Sequence, residues 1–253
     1  MKGDINIMRT DNFNQQAKML GIEINQEQER MFGQYYEQLL HWNELMNLTG
    51  ITQREEVYEK HFLDSLSLVK VIDLEKENFI LDIGTGAGFP GIPLKIVFPH
   101  LRIVLLDSLG KRVDFLESLI EHLGLEGIVA YHGRAEDFAK KEEFRQQFDI
   151  VVSRAVSNLS TLSEYSLPFV RVGGFFIPYK SGDVEEEIKN SVYAIEILGG
   201  KLRECISFEL PETSISRCLL KIEKVLDTPE KYPRRAGKPE KRPISENCKP
   251  VSV

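Results

Sequence analysis

The sequence predicts an α/β fold, a mostly parallel seven-stranded sheet with helices on both faces and a helical extension at the N-terminus. Three observations predict it. From Phe79 onward, short β-rich runs alternate with helical stretches, the pattern of parallel strands joined by crossover helices. Two late runs, Lys201 to Leu210 and Arg217 to Val225, are separated only by a short polar turn with Pro211, which makes a hairpin at the end of the sheet. Before residue 75 apolar residues recur at helical spacing.

In chain order, residues 1–75 form the helical extension. Asn25 with Gln28, and Thr52 with Glu55, are capping-box candidates, each placing a side-chain acceptor ahead of a helix start. Between them Met31 or Phe32, Tyr35, Leu39, Trp42 and Met46 form a stripe that reads as core. Residues 76–226 carry the α/β domain, with strands expected over 79–83, 101–107, 128–132, 148–153 and 173–180 and a helix near 184–198 before the hairpin. Past Asp227 the chain turns basic and proline-rich, with Pro229, Pro233, Pro239, Pro243 and Pro250, so 227–253 reads as a tail or an ordered basic strap.

Bulk composition narrows the class. A chain of 253 residues with 42% hydrophobic residues can bury a sizeable core. No apolar run is long enough for a membrane helix, and Lys2, Asp4, Asn6, Arg9 and Asp11 make the N-terminus too polar for a signal peptide; a cytoplasmic protein is expected. Cys205, Cys218 and Cys248 are far apart with no C-x-x-C pair, which points to neither a zinc site nor a disulfide framework. The net charge of −7 argues against indiscriminate coating of nucleic acid. It leaves room for a local basic face: between residues 231 and 242, Lys231, Arg234, Arg235, Lys238, Lys241 and Arg242 stand against the single acid Glu240.

The first strand, Phe79-Ile80-Leu81-Asp82-Ile83, opens into Gly84-Thr85-Gly86-Ala87-Gly88-Phe89-Pro90-Gly91. Such glycines permit positive φ and close approach to a ligand. A dinucleotide enzyme has G-x-G-x-x-G, with pyrophosphate on a helix N-terminus. Here the third glycine comes one position early and residue 89 is Phe89, while Asp82 precedes the loop. A carboxylate there suits a sulfonium and an ammonium better than a pyrophosphate, so S-adenosylmethionine is favoured over NAD and a Rossmann-like methyltransferase fold over an oxidoreductase. Asp107 ends the second strand, where an acid accepts from both ribose hydroxyls or caps the next helix. After the third strand, Ala135 and Glu136 are placed to read an adenine edge, with Glu136 and Asp137 alternatively at the N-cap of the next helix.

The fourth strand reads Phe148-Asp149-Ile150-Val151-Val152-Ser153-Arg154-Ala155. It lacks the Asn/Asp-Pro-Pro-aromatic run of exocyclic-amine methyltransferases, and no cysteine nucleophile for cytosine C5 is near. What remains is transfer to an atom with a free lone pair, such as guanine N7. No general base is then needed, and alignment alone supplies roughly 7–11 kcal/mol in favourable cases. Arg154 fits as a positioning group whose guanidinium donates to guanine, phosphate or the cofactor carboxylate.

The motifs Asn47-Leu48-Thr49, His61-Phe62-Leu63-Asp64-Ser65, Asp82 to Gly91, Asp107-Ser108-Leu109-Gly110-Lys111-Arg112, Arg134-Ala135-Glu136, Ser153-Arg154-Ala155 and Lys231-Tyr232-Pro233-Arg234-Arg235 resemble those of the bacterial small-subunit ribosomal RNA guanine-N7 methyltransferases, the glucose-inhibited division protein B family. The resemblance spans about residues 25–244. It implies methyl transfer from S-adenosylmethionine to guanine N7 in 16S ribosomal RNA, at nucleotide 527 in the usual numbering. It also implies cofactor contacts at Gly84, Phe89, Asp107, Ala135, Glu136 and Arg154, and 16S RNA or the 30S subunit as partner. Candidate RNA contacts are Lys111, Arg112, Arg134, Lys180, Arg234 and Arg235; His61 reads as a satisfied structural histidine, with base stacking the alternative. An RNA-binding assembly factor without turnover and an NAD-dependent oxidoreductase are the rival readings.

Overall fold

The computed structural model describes residues 12–76, 78–154, 157–182 and 184–246; Ala155, Cys248, Pro250 and residues 1–11 lie outside them. The chain begins with α1 (12–19) and α2 (Gln26–Met46). Asn25 and Gln28 form the expected capping box, each side chain accepting from the other's backbone N–H at 2.9 Å. Of the expected stripe, Phe32, Tyr35 and Leu39 are wholly buried and Met31 and Trp42 pack against the same core. The second expected box is displaced. Gln53, in extended backbone, takes the N-cap of α3 (Arg54–Val57) without a side-chain hydrogen bond. α3 continues into a π turn (Tyr58–Leu63), α4 (Asp64–Leu66) and a 3-10 turn (Ser67–Lys70).

The strands are β1 (Phe79–Ile83), β2 (Arg102–Asp107), β3 (Ile128–His132), β4 (Phe148–Arg154), β5 (Val170–Lys180), β6 (Gly200–Glu209) and β7 (Ser216–Lys224). The helices among and after them are α5 (Gly91–Val97), α6 (Gly110–Leu123), α7 (Ala135–Phe138), α8 (Leu159–Ser166), α9 (Glu185–Ile197) and α10 (Lys238–Lys241). Sheet order is β3-β2-β1-β4-β5-β7-β6, with β1 to β5 parallel and β7 antiparallel to both neighbours. β1, β2 and β4 are apolar nearly throughout because helices cover both of their faces.

One face packs against α1, α2, the π turn, α5 and α6, so the N-terminal helices share a continuous core with the sheet. The other face packs against α7, α8 and α9, and Tyr232 and Ile244 of the C-terminal segment join that core. That segment is a strap rather than a loose tail. Arg145 donates to the carbonyls of Thr228 and Tyr232 at 2.7 and 3.0 Å, and the Ser160 and Thr161 hydroxyls donate to the carbonyls of Ile244 and Pro239. Among the described residues no helix is long and apolar enough to cross a membrane.

Strand order reverses between β1 and β4. In open α/β sheets, ligands bind beyond the carboxyl ends of the strands at such a switch point. Gly84 and Arg154 lie at those two strand ends.

Candidate active site

The loop after β1 folds tightly because Gly84, Gly86 and Gly88 adopt φ of 67°, 61° and 95°, a region closed to most side chains. A Cβ on Gly86 would meet nothing nearer than the Gly84 carbonyl at 4.0 Å, so the loop presents bare backbone to open space. Asp82 lies beneath, fully buried. Its Oδ2 accepts from the Thr85 hydroxyl at 2.7 Å and from Gly91 N–H at 2.9 Å, while Oδ1 has no hydrogen-bond partner among the described residues. Burial pushes this carboxyl up to about 6, against the pull of Thr85, Gly91 and Arg154.

Asp107, 2% exposed, binds the loop from the end of β2. It accepts from Gly86 N–H and from Leu109 N–H, both at 2.9 Å, with the Arg112 guanidinium 3.5 Å away. Leu109 is the N-cap of α6, so this acid joins the glycine loop to the start of that helix, close to the capping alternative. Each carboxylate oxygen keeps acceptor capacity for a ligand hydroxyl.

A cavity of about 200 Å³ opens over the carboxyl ends of β1, β2 and β3, lined by Gly84, Leu106, Gly133, Ala135, Glu136 and Glu240 among others. It brings together three of the expected cofactor residues. Arg134, not Glu136 or Asp137, is the N-cap of α7, which leaves Glu136 in the first turn. The Glu136 carboxylate, 4% exposed, also accepts from Gly237 N–H at 3.0 Å and so ties the strap to the cavity rim. Bare loop backbone and a strand-end acid fit a hydroxyl-bearing nucleoside.

A second cavity, about 460 Å³, lies beside it over the ends of β4 and β5, lined by Lys60, His61, Asp64, Arg154, Lys180, Arg217 and others. Its centre is an ion triad invisible in the local sequence. Asp64, on α4, accepts from Arg154 at 2.9 Å and from Arg217 of β7 at 2.8 Å. Arg154 also donates to the Lys60 carbonyl at 3.1 Å and lies 4.9 Å from the centre of the Phe89 ring. Phe89 itself is 5% exposed and lines neither cavity; stacked between His61 and Tyr35, its ring backs the Arg154 guanidinium while its backbone belongs to the glycine loop. His61 is the structural histidine expected: Nε2 pairs with the Thr49 hydroxyl at 2.9 Å, and burial with the neighbouring Arg154 charge lowers it to about 3, so the ring is neutral.

Two of the expected RNA contacts have partners within the chain. Arg234 spends its guanidinium on Glu164, which is 0% exposed; an acid sealed there without a cation would be costly, so this arginine is a strap fastener. Lys180 is turned inward, donating to Glu187 at 2.7 Å and to the Ser157 carbonyl at 3.0 Å. Lys111, Arg134 and Arg235 are exposed as expected, as are Lys231, Lys238, Lys241 and Arg242 of the strap; Arg112 is partly exposed. Sequence reasoning gave Asp64 and Arg217 no role. Asp64 had one signal, an acid set among Phe62, Leu63 and Leu66, where only a partnered carboxylate is tolerable. Arg217 had none, because its partner is 153 residues away.

Residues 28–216 match the family model described as GidB: rRNA small subunit methyltransferase G. The chain is 53% identical over 232 residues to "Ribosomal RNA small subunit methyltransferase G" of Lachnoclostridium phytofermentans, covering 92% of this chain and 96% of the relative. It is 52% identical over 225 residues to the protein of the same name from Alkaliphilus metalliredigens, covering 89% and 94%. In fold it is similar to the crystal structure of a SAM dependent methyltransferase from Aquifex aeolicus, with TM-score 0.51 at 16% identity over 70% of this chain and 97% of that one. Matched by the family model over residues 28–216, which hold the glycine loop and most of the sheet, the chain belongs to the rRNA small subunit methyltransferase G family.

Proposed function

We propose that the protein methylates N7 of a guanine in 16S ribosomal RNA, nucleotide 527 in the usual numbering, using S-adenosylmethionine. The observation that carries the reading is the pair of adjoining cavities at the strand switch point, one edged by Gly84, Ala135 and Glu136 and the other by Arg154 and Arg217.

S-adenosylmethionine supplies an electrophilic methyl group. The glycine loop, Asp107, Ala135 and Glu136 hold its nucleoside in the smaller cavity. Guanine N7 carries no proton, so nothing has to remove one; a neutral His61, pulled down to about 3, suits a site that needs no base. The task of the larger cavity is alignment. Asp64 fixes the Arg154 guanidinium while leaving some of its N–H groups to donate to an acceptor such as guanine O6. The cations Lys111, Arg112, Arg134, Arg235, Lys238, Lys241 and Arg242 are assigned to phosphate, and cytoplasmic 30S subunits or their RNA to the partner. Steep loss of affinity with salt would accompany such contacts.

The test is transfer of labelled methyl to 30S subunits and to naked 16S RNA, with the modified base mapped. Label at guanine N7 supports the reading. Unaltered guanines, with S-adenosylhomocysteine still bound, would leave an RNA-binding protein without turnover.

A further inference from the structure

Cys205 and Cys218 are far apart in sequence, yet the β6–β7 hairpin brings their sulfur atoms to 3.1 Å. Cys205 is exposed on the outer strand and Cys218 is buried on its neighbour. We propose that these two thiols form a reversible, peroxide-driven disulfide that governs the larger cavity.

The register explains why such a bond would be labile. Cys205 lies opposite Leu220 and Cys218 opposite Ser207, so the thiols face each other across a diagonal of the ladder. Diagonal Cα atoms are typically about 7–8 Å apart, beyond the roughly 4.4–6.8 Å of most disulfides. Closing the 3.1 Å gap to a bond of about 2.05 Å therefore pulls the strands together and strains them. Strained, exposed disulfides are the ones easily reduced again.

The chemistry balances with one peroxide. The Cys205 sulfur, as thiolate, attacks a peroxide oxygen; the O–O bond breaks, the departing hydroxide leaves as water, and a sulfenic acid remains. The Cys218 sulfur then attacks that sulfenic sulfur. An S–S bond forms, the S–OH bond breaks, and the hydroxyl leaves as water with the Cys218 proton. Two thiols are oxidised and one peroxide is reduced to two waters. Cys205, exposed, is the thiol that meets oxidant first; Cys218 is buried, and burial pushes its thiol up to about 12.

The coupling follows from position, and it rests on the larger cavity being the acceptor side. Cys218 pairs across the ladder with Lys180, which lines that cavity and holds Glu187. The preceding residue is Arg217, whose guanidinium holds Asp64. A pull on this end of β7 acts on both pairs. The smaller cavity, over β1 to β3, is lined by none of these residues.

The full chain is exposed to hydrogen peroxide and its peptides are mapped without reduction. The expected product is a Cys205–Cys218 cross-link, about 2 Da lighter than the two thiol peptides, abolished in Cys205→Ser and reversed by dithiothreitol. A Cys205 that stops at sulfinic acid, or pairs with Cys248, overturns the proposal. Oxidised protein should lose methyl transfer to 30S subunits, recover it with dithiothreitol and keep its affinity for S-adenosylhomocysteine, while Cys205→Ser resists peroxide. Unchanged transfer by cross-linked protein overturns the coupling. Reduced protein that never transfers methyl would instead defeat the proposed function, and the peptide map would still decide the thiol chemistry.

Discussion

Replacing Asp64 with alanine tests whether the larger cavity is built around one buried anion. Its carboxylate side chain is 3% exposed and takes both Arg154, 14% exposed, and Arg217, 18% exposed. Removing one partner of a buried ion pair costs roughly 3–5 kcal/mol, because the remaining charge is left desolvated. Both arginines border a cavity and recover some hydration there, which puts the loss at the lower end, about 3 kcal/mol. For a chain of this size that is roughly a 6–12 °C fall in Tm. Arg154 loses the group that orients it, so transfer should collapse, while S-adenosylhomocysteine, bound over β1 to β3, should bind nearly as before. The assays are urea unfolding, calorimetric titration and methyl transfer, with Arg217→Ala and the double variant closing a cycle; a coupling energy of about 1–3 kcal/mol is expected for residues in one network. An Asp64→Ala protein within about 0.5 kcal/mol of wild type that still transfers methyl would refute the reasoning.

The Asp82 carboxyl, raised from 3.8 to about 6 by burial, binds its proton more tightly folded than unfolded, so its contribution to stability is full below pH 4 and is lost as pH rises through 6. Ionising it in place costs on the order of 3 kcal/mol, and the difference in unfolding free energy between wild type and Asp82→Asn should change across pH 4–7; a constant difference would contradict it. Gly91→Ala should cost about 1–3 kcal/mol by overpacking, because a Cβ there would come within 2.3 Å of the Leu105 side chain and 3.1 Å of Asp82 Oδ2; unfolding curves and S-adenosylhomocysteine affinity check this. Arg234→Ala strands the buried Glu164 and should cost about 3–5 kcal/mol, with protease sensitivity rising in the strap. Arg235→Ala, at an exposed site, should leave stability unchanged and reduce the salt slope of RNA binding by about 0.7–0.9; an unchanged slope removes it from the interface.

The sequence by itself determined the sheet and the glycine loop at its strand ends. β1, β2 and β4 are apolar runs that only a sheet covered on both faces can bury, and β6 and β7 begin within one residue of where their patterns predict. Gly84, Ala135 and Glu136 fall at one cavity because they follow the ends of β1 and β3, strands of one parallel sheet, where spacing fixes geometry. Tertiary structure alone decided the larger cavity. The Arg154–Asp64–Arg217 triad and the Arg234–Glu164 clasp depend on how helices, hairpin and strap dock, and the meeting of Cys205 with Cys218 on the register of β6 against β7. A charged side chain looks the same in sequence whether water or a buried counter-ion receives it. Only the fold, by removing the water, makes the choice.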